Sequence, residues 1–165
     1  MKILVMSDSH SGLSFMRCCI CAIKPDALIH LGDYYEDGTA MAEENPNIPI
    51  HQVPGNCDRY RTMAFHPEVL CYSVCGVKLF MTHGHNQNVK STRFRLLKEA
   101  REAGAQAALY GHTHCADCYQ EEDGLWVLNP GNCGSSGGSV GIIETDNGTI
   151  LSCRIVTRQD LEEML

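Results

Sequence analysis

Long apolar runs are missing from this chain of 165 residues. No span approaches the ~20 consecutive apolar residues that a bilayer-crossing helix needs, so no membrane partner is expected. The first apolar run, Ile3 to Met6, is too short for the core of a secretion signal and meets polar Ser7-Asp8 at once. A cytoplasmic protein is the resulting expectation. Positive charge is scarce too: 13 Lys+Arg stand against 20 Asp+Glu, a net charge of −7. Stable binding to a nucleic-acid backbone needs clustered cations and is not expected. A metal ion that draws phosphate locally remains compatible with this acidity. Linkers, repeats and low-complexity segments are also absent, and the length suits one domain over 1–165.

What is present is enough for a core. Apolar residues make up 44% and charged residues 20% of the chain, which places it outside the disordered class. Ten cysteines resemble a disulfide framework by number alone. Cys18, Cys19 and Cys21 crowd a single helical turn, however, so most are read as small hydrophobes in a reducing compartment.

Lys2–Met6 reads as a buried strand. Leu13, Met16, Ile20 and Ile23 then recur at helical spacing, and Pro25 stops that helix. Ala27–Leu31 and Ile48–Val53 read as further strands, giving a parallel β-α-β start. Val69–Val74 and Val77–Thr82 flank Cys75-Gly76 as a hairpin. Leu96, Ala100 and Ala103 mark a helix before the short strand Ala107–Tyr110. Asp123-Gly124 and Asn147-Gly148 read as two-residue hairpin turns. A parallel half followed by hairpins predicts a mixed α/β protein with two sheets.

Metal-competent residues follow the predicted strand ends: Asp8 and His10; Asp33; Asn56 and Asp58; His83 and His85; His112 and His114. Ligands of open α/β sheets gather outside the carboxyl ends of strands. An extended backbone would point Asp8 and His10 to one side, and likewise His112 and His114. Glycines at 32, 55, 84 and 111 let the chain turn sharply beside them. Such a set is too large for one tetrahedral zinc and suits two adjacent divalent ions sharing a carboxylate.

Asp8-x-His10, Gly32-Asp33, Gly55-Asn56-x-Asp58, His83-Gly84-His85 and Gly111-His112-Thr113-His114 occur in the order of the calcineurin-like metallophosphoesterase motifs. The small size and Gly55-Asn56-Cys57-Asp58 most resemble the YfcE-type phosphodiesterase branch, which also contains the retromer sorting subunit. The resemblance implies a two-sheet β sandwich flanked by helices in four layers, and hydrolysis of small phosphodiesters. It implies one ion on Asp8, His10, Asp33 and His114, and a second on Asp33, Asn56, His83 and His112. Asp33 would bridge, and a hydroxide between the ions would attack. Mixed O/N donors suit Mn²⁺ best, with Fe, Ni or Zn as alternatives. His85 would line the substrate cleft or orient a neighbour.

The chain departs from the wider superfamily at Cys57, where many relatives carry a histidine that protonates the leaving group. A thiol is a poor general acid at neutral pH, so Cys57 is read as packing beside the site, with Asp58 orienting Asn56 or its loop. Asn129-Pro130-Gly131-Asn132 resembles a family loop near the site, with Asn132 in place of the usual serine, and is read as a turn. The Gly134–Gly138 stretch lacks the lysine of a P-loop and is read as a flexible connection. Cys115-x-x-Cys118 has no second Cys pair at useful spacing, so no zinc or redox role is assigned. His30 is read as a core residue, and His51 and His66 as surface or strand-edge groups.

Tyr34–Asn47, carrying Tyr34, Tyr35, Glu36 and Asp37, is expected to form a lip over the cleft. Its acidity disfavours highly charged substrates. Two divalent ions would add +4 to −7, leaving −3, which again favours small phosphodiesters over long nucleic acids. A homodimer is compatible with the exposed late hairpins. The rival reading is a non-catalytic metal-binding scaffold like the retromer subunit; competent side chains at all seven ligand positions favour the enzyme.

Overall fold

The computed structural model describes residues 1–60, 64–134 and 138–164. Among the described residues, ten strands and four α-helices run in the order β1 (Lys2–Met6), α1 (Leu13–Ile23), β2 (Ala27–His30), α2 (Tyr35–Glu44), β3 (Ile50–Gln52), β4 (Val69–Val74), β5 (Val77–Thr82), α3 (Phe94–Glu102), β6 (Ala107–Leu109), β7 (Asp117–Gln120), β8 (Trp126–Asn129), β9 (Ser139–Asp146), β10 (Thr149–Thr157) and α4 (Arg158–Met164). They form two five-stranded sheets, ordered β10-β9-β1-β2-β3 and β4-β5-β6-β8-β7. Both are mixed. β1, β2 and β3 are parallel, as are β5, β6 and β8, while β9, β10, β4 and β7 run antiparallel to their neighbours.

The strands β1 and β2 read as unbroken apolar runs because both of their faces are covered. Ile3, Val5, Ile29 and Leu31 pack against Leu79, Met81, Leu109 and Leu128 between the sheets. Leu4, Met6 and Leu28 point the other way, onto Phe15, Met16, Cys19 and Ile20 of α1, Met41 of α2 and Leu161 of α4. Phe80, Ala108 and Val127 of the second sheet face Leu96 and Ala100 of α3. The architecture is therefore an α/β sandwich with helices on both outer faces, as expected. No described helix is long and apolar enough to cross a membrane.

Both central residues of Cys75-Gly76 and of Asn147-Gly148 have positive φ, as a type I′ hairpin turn requires. Several expectations need correction. The segment 34–47 is not a lip: most of it is α2, and Met41 anchors it to the sheet because a helix with an inward apolar residue gains more by docking than by hanging over solvent. Asp123-Gly124 sits within a five-residue connection, closed by the Glu121 N–H donating to the Leu125 carbonyl at 2.9 Å. Helix α4 was not anticipated. Among the cysteines only Cys19 and Cys133 are fully buried, while Cys18, Cys21, Cys57 and Cys115 are exposed. The hydrophobe reading therefore holds for fewer of them than expected. Residues 135–137 of the Gly134–Gly138 stretch lie outside the described residues.

Candidate metal centre

Because β1, β2, β3, β5, β6 and β8 share one direction, their carboxyl ends meet at one end of the sandwich. Asp8, Asp33 and Asn56 follow the first three; His83, His112 and Asn132 follow the others. Backbone bonds lace these ends together: Asp8 N–H to Gly32 O at 2.9 Å, Gly111 N–H to His83 O at 3.0 Å, and Cys133 N–H to Ser7 O at 3.1 Å.

The backbone at the site is strained rather than extended. Asp8, His10, Asp33, His112 and His114 all have φ between 43° and 67°. Side chains rarely occupy this left-handed region, and clusters of such residues mark functional sites. Asp8 and His10 therefore converge through two kinks, not through strand alternation, and so do His112 and His114. Of the four glycines, Gly32 and Gly84 adopt positive φ. Gly55 and Gly111 are needed instead for close approach: a Cβ on Gly111 would stand 2.8 Å from Asp8 Oδ2, and one on Gly55 would meet Asp33.

Asp8 is fully buried and Asp33 nearly so. Asp8 Oδ2 accepts from the Ser7 hydroxyl at 2.6 Å and the His112 N–H at 3.1 Å. Its Oδ1 accepts no hydrogen bond, and faces His114 Nε2 at 3.0 Å and His83 Nε2 at 4.0 Å. Neither aspartate caps a helix, since α1 and α2 have no side-chain cap. A buried carboxylate oxygen that accepts no hydrogen bond is costly, and a cation among these imidazoles would offset that cost. One ligand atom from each of Asp8, His10, Asp33 and His114 lies within 4.8 Å of the others.

The second group surrounds His83, whose side chain is fully buried. Its Nδ1 lies 2.7 Å from the Leu31 carbonyl. A carbonyl only accepts, so Nδ1 carries a proton and donates it there, which leaves Nε2 as the ring atom facing the site. Nε2 lies 3.1 Å from Asn56 Oδ1, 3.5 Å from Asp33 Oδ1 and 4.0 Å from Asp8 Oδ1. The His112 ring lies 5.0 Å from His83, centroid to centroid. Burial, His83 and Lys90 push its imidazole down to about 4, which keeps it neutral and able to donate a lone pair. Burial raises the Asp33 carboxyl, but His83, the Cys57 N–H and thiol, and His10 hold it below its usual value.

His85 stands apart. Its ring is 5.5 Å from His83 and 6.1 Å from His112, and its Nε2 lies 3.9 Å from Glu68 Oε1. Cys57 is exposed at the cleft, and burial with Asp33 pushes its thiol up to about 11. Asp58 clamps the loop rather than Asn56: Oδ1 accepts from Tyr34 and Tyr35 N–H, both at 2.8 Å, and Oδ2 from Gly55 N–H at 2.7 Å. His30 is buried as expected, with Nε2 3.0 Å from Ser9 Oγ. His51 pairs with the Tyr72 hydroxyl and His66 stacks on Tyr35.

Sequence reasoning missed several supports. Tyr34 packs edge-on against His10 at 4.9 Å. The loop after β8 is more than a turn. The Asn129 amide donates to Gly111 O and Thr113 Oγ1, and Asn132 Nδ2 lies 3.2 Å from His114 Nδ1. The family resemblance of that loop was the one available signal. Cys118 contacts the thiol of Cys153 across the sheets, which leaves Cys115-x-x-Cys118 without a paired role.

A two-sheet sandwich with histidines and carboxylates gathered at the shared strand ends has the layout of a metal-dependent hydrolase. The chain belongs to the calcineurin-like phosphoesterase superfamily: the model of that superfamily's domain matches residues 1–148. It is similar to a probable metallophosphoesterase of Bacillus subtilis, YsnB, at 32% identity over 136 residues, covering 80% of this chain and 75% of that protein. A solved Streptococcus pneumoniae protein, described as a predicted phosphoesterase, shares 28% identity at a TM-score of 0.76, covering 96% of this chain and 90% of the other. YfcE, a phosphoesterase from E. coli, has the same fold at 19% identity and a TM-score of 0.62, over 93% of this chain and 98% of its own.

Proposed function

We propose that this protein is a phosphodiesterase that works with two divalent ions. The observation that carries the reading is the meeting of His83 Nε2, Asn56 Oδ1, Asp33 Oδ1 and Asp8 Oδ1. With Nδ1 donating to the Leu31 carbonyl, Nε2 is the ring atom left to join three side-chain oxygens, a nitrogen and oxygen donor set that suits a cation. Asp8, His10, Asp33 and His114 would hold one ion, and Asp33, Asn56, His83 and His112 the other, with Asp33 shared. Oxygen and imidazole donors without thiolate suit Mn²⁺. When bound, such a pair supplies Lewis acidity to phosphoryl oxygens and lowers the pKa of water.

The chain's own groups set the rest. Asp33 fixes the spacing between the two ligand sets, because it reaches toward both His10 and His83. His85 flanks the cleft outside the ligand sets, where it would meet the substrate. Glu68 at the rim and the overall acidity favour the single charge of a small diester over the double charge of a monoester.

The test joins metal analysis to turnover on one preparation. Two Mn²⁺ per chain should accompany hydrolysis of an activated aryl phosphodiester, and a chelator should abolish it reversibly. A metal-loaded protein that cleaves only monoesters, or no ester at all, would overturn the phosphodiesterase reading.

A further inference from the structure

His112 and His114 stand in different ligand sets, yet they share one short loop between β6 and β7. We infer that Asn129 is a positioning residue whose single buried amide fixes the turns of that loop and so sets one ligand of each ion. The inference rests on the metal-centre reading above.

Asn129 ends β8, the strand that lies between β6 and β7 in the sheet. It is fully buried, and its partners dictate which way the amide faces. Oδ1 accepts from the Gly131 N–H at 2.9 Å, which an NH₂ group cannot do. Nδ2 then donates to the Gly111 carbonyl at 3.1 Å and to Thr113 Oγ1 at 2.8 Å. Both amide hydrogens are used, one on each side of His112.

The threonine carries the hold on to His114. Thr113 Oγ1 also accepts from the Cys115 N–H at 3.2 Å and donates to the Cys115 carbonyl at 3.4 Å. Gly111 and Thr113 therefore clasp His112, while Thr113 and Cys115 clasp His114. The Thr113 N–H bonds the Gly111 carbonyl at 2.8 Å and closes a three-residue turn with His112 at its centre. With φ at 67° there, this is the rare, strained form of the γ-turn. His114, with φ at 60°, is left-handed too. Such conformations persist only where the surroundings hold them. Here the amide of Asn129 bonds the chain on both sides of the first turn and braces the hydroxyl that closes the second.

The experiment is a calorimetric titration of the full chain with MnCl₂, without substrate. Asn129→Ala should weaken both binding events by about 10–100-fold, the range typical of groups that orient a ligand. Val127→Ala is the control for a merely loosened strand. It removes packing from β8, where Val127 is buried in the cluster with Leu96 and Ala100, but leaves the amide in place. Both affinities should stay at the wild-type value in that control. Thr113→Val keeps the shape of the side chain without its hydroxyl and should weaken both events, and Thr113→Ser should restore them. Combining Asn129→Ala with Thr113→Val should cost less than the sum of the two, because both break the same bond. Melting temperatures of the metal-free variants check folding. Should Asn129→Ala fail to fold, Thr113→Val and its serine rescue carry the test. Wild-type affinity at either event in Asn129→Ala, equal weakening in Val127→Ala, no rescue by serine, or fully additive losses would each overturn the inference. A wild-type chain that binds no Mn²⁺ would overturn the metal centre and this role with it, whereas normal binding by wild type and Asn129→Ala alike removes only the role of Asn129.

Discussion

Asp33 and Gly55 approach so closely that no side chain fits between them. A Cβ on Gly55 would stand 2.2 Å from Asp33 Oδ1 and 2.4 Å from its backbone nitrogen. The φ of Gly55 is −97°, open to any residue, so the requirement for glycine is steric. Gly55→Ala should displace Asp33 and cut Mn²⁺ affinity by more than about tenfold. Gly124→Ala is the control. Its Cβ would meet nothing closer than 4.0 Å, and its positive φ should cost about 1 kcal/mol of stability without touching the metal titration. Wild-type Mn²⁺ affinity in Gly55→Ala would show that Asp33 is not a ligand held in this position.

Asp33→Asn should weaken both ions and remove most activity, since a neutral amide is a poor bridge. His85→Asn should leave the metal stoichiometry at the wild-type value and lower turnover less, because His85 lies outside both ligand sets. Metal analysis beside kcat for the two variants checks the ranking. Two tightly bound ions and full turnover in Asp33→Asn would refute the shared-carboxylate geometry.

With a thiol at position 57, the departing oxygen receives no proton from an imidazole there. General acids contribute about 10²–10⁴-fold, most for basic leaving groups. Rates across a series of aryl phosphodiesters should therefore fall steeply as the phenol pKa rises. Cys57→His should flatten that slope, with Asp58 already clamped against the loop beside it. A shallow slope in the wild type would mean that another group donates the proton, and His85 is the first to examine.

Burial pushes the His30 imidazole below its ordinary value. The unfolded chain takes up a proton there near pH 6.5 while the folded chain does not, so the unfolded state binds more protons below that pH. Stability is thus present above about pH 6.5 and is lost as the pH falls, by up to about 1.4 kcal/mol per unit. Urea unfolding of metal-free protein from pH 7.5 to 5.5 should show this slope, reduced in His30→Gln. An identical slope in the variant would place the acid sensitivity elsewhere.

The primary structure by itself determined the strands around Ile3–Met6 and Ala27–His30, because residues covered on both sides must be apolar throughout. It also determined the order of the site residues, since Asp8, Asp33, Asn56, His83, His112 and His114 each follow a strand end. What it could not carry is any quantity that depends on two distant segments. Helix α2 escaped notice because its apolar face is little more than Met41, whose value appears only once the sheet lies beneath it. The left-handed turns at Asp8, His10, Asp33, His112 and His114 are imposed by neighbours such as Gly32, Gly55 and Gly111, not by local preference, which opposes them. The proton position on His83 was decided by the Leu31 carbonyl, 52 residues away in the chain. Residue type supplies the donors, but only packing the two sheets face to face brings their strand ends, and the ligand atoms that follow them, to one point.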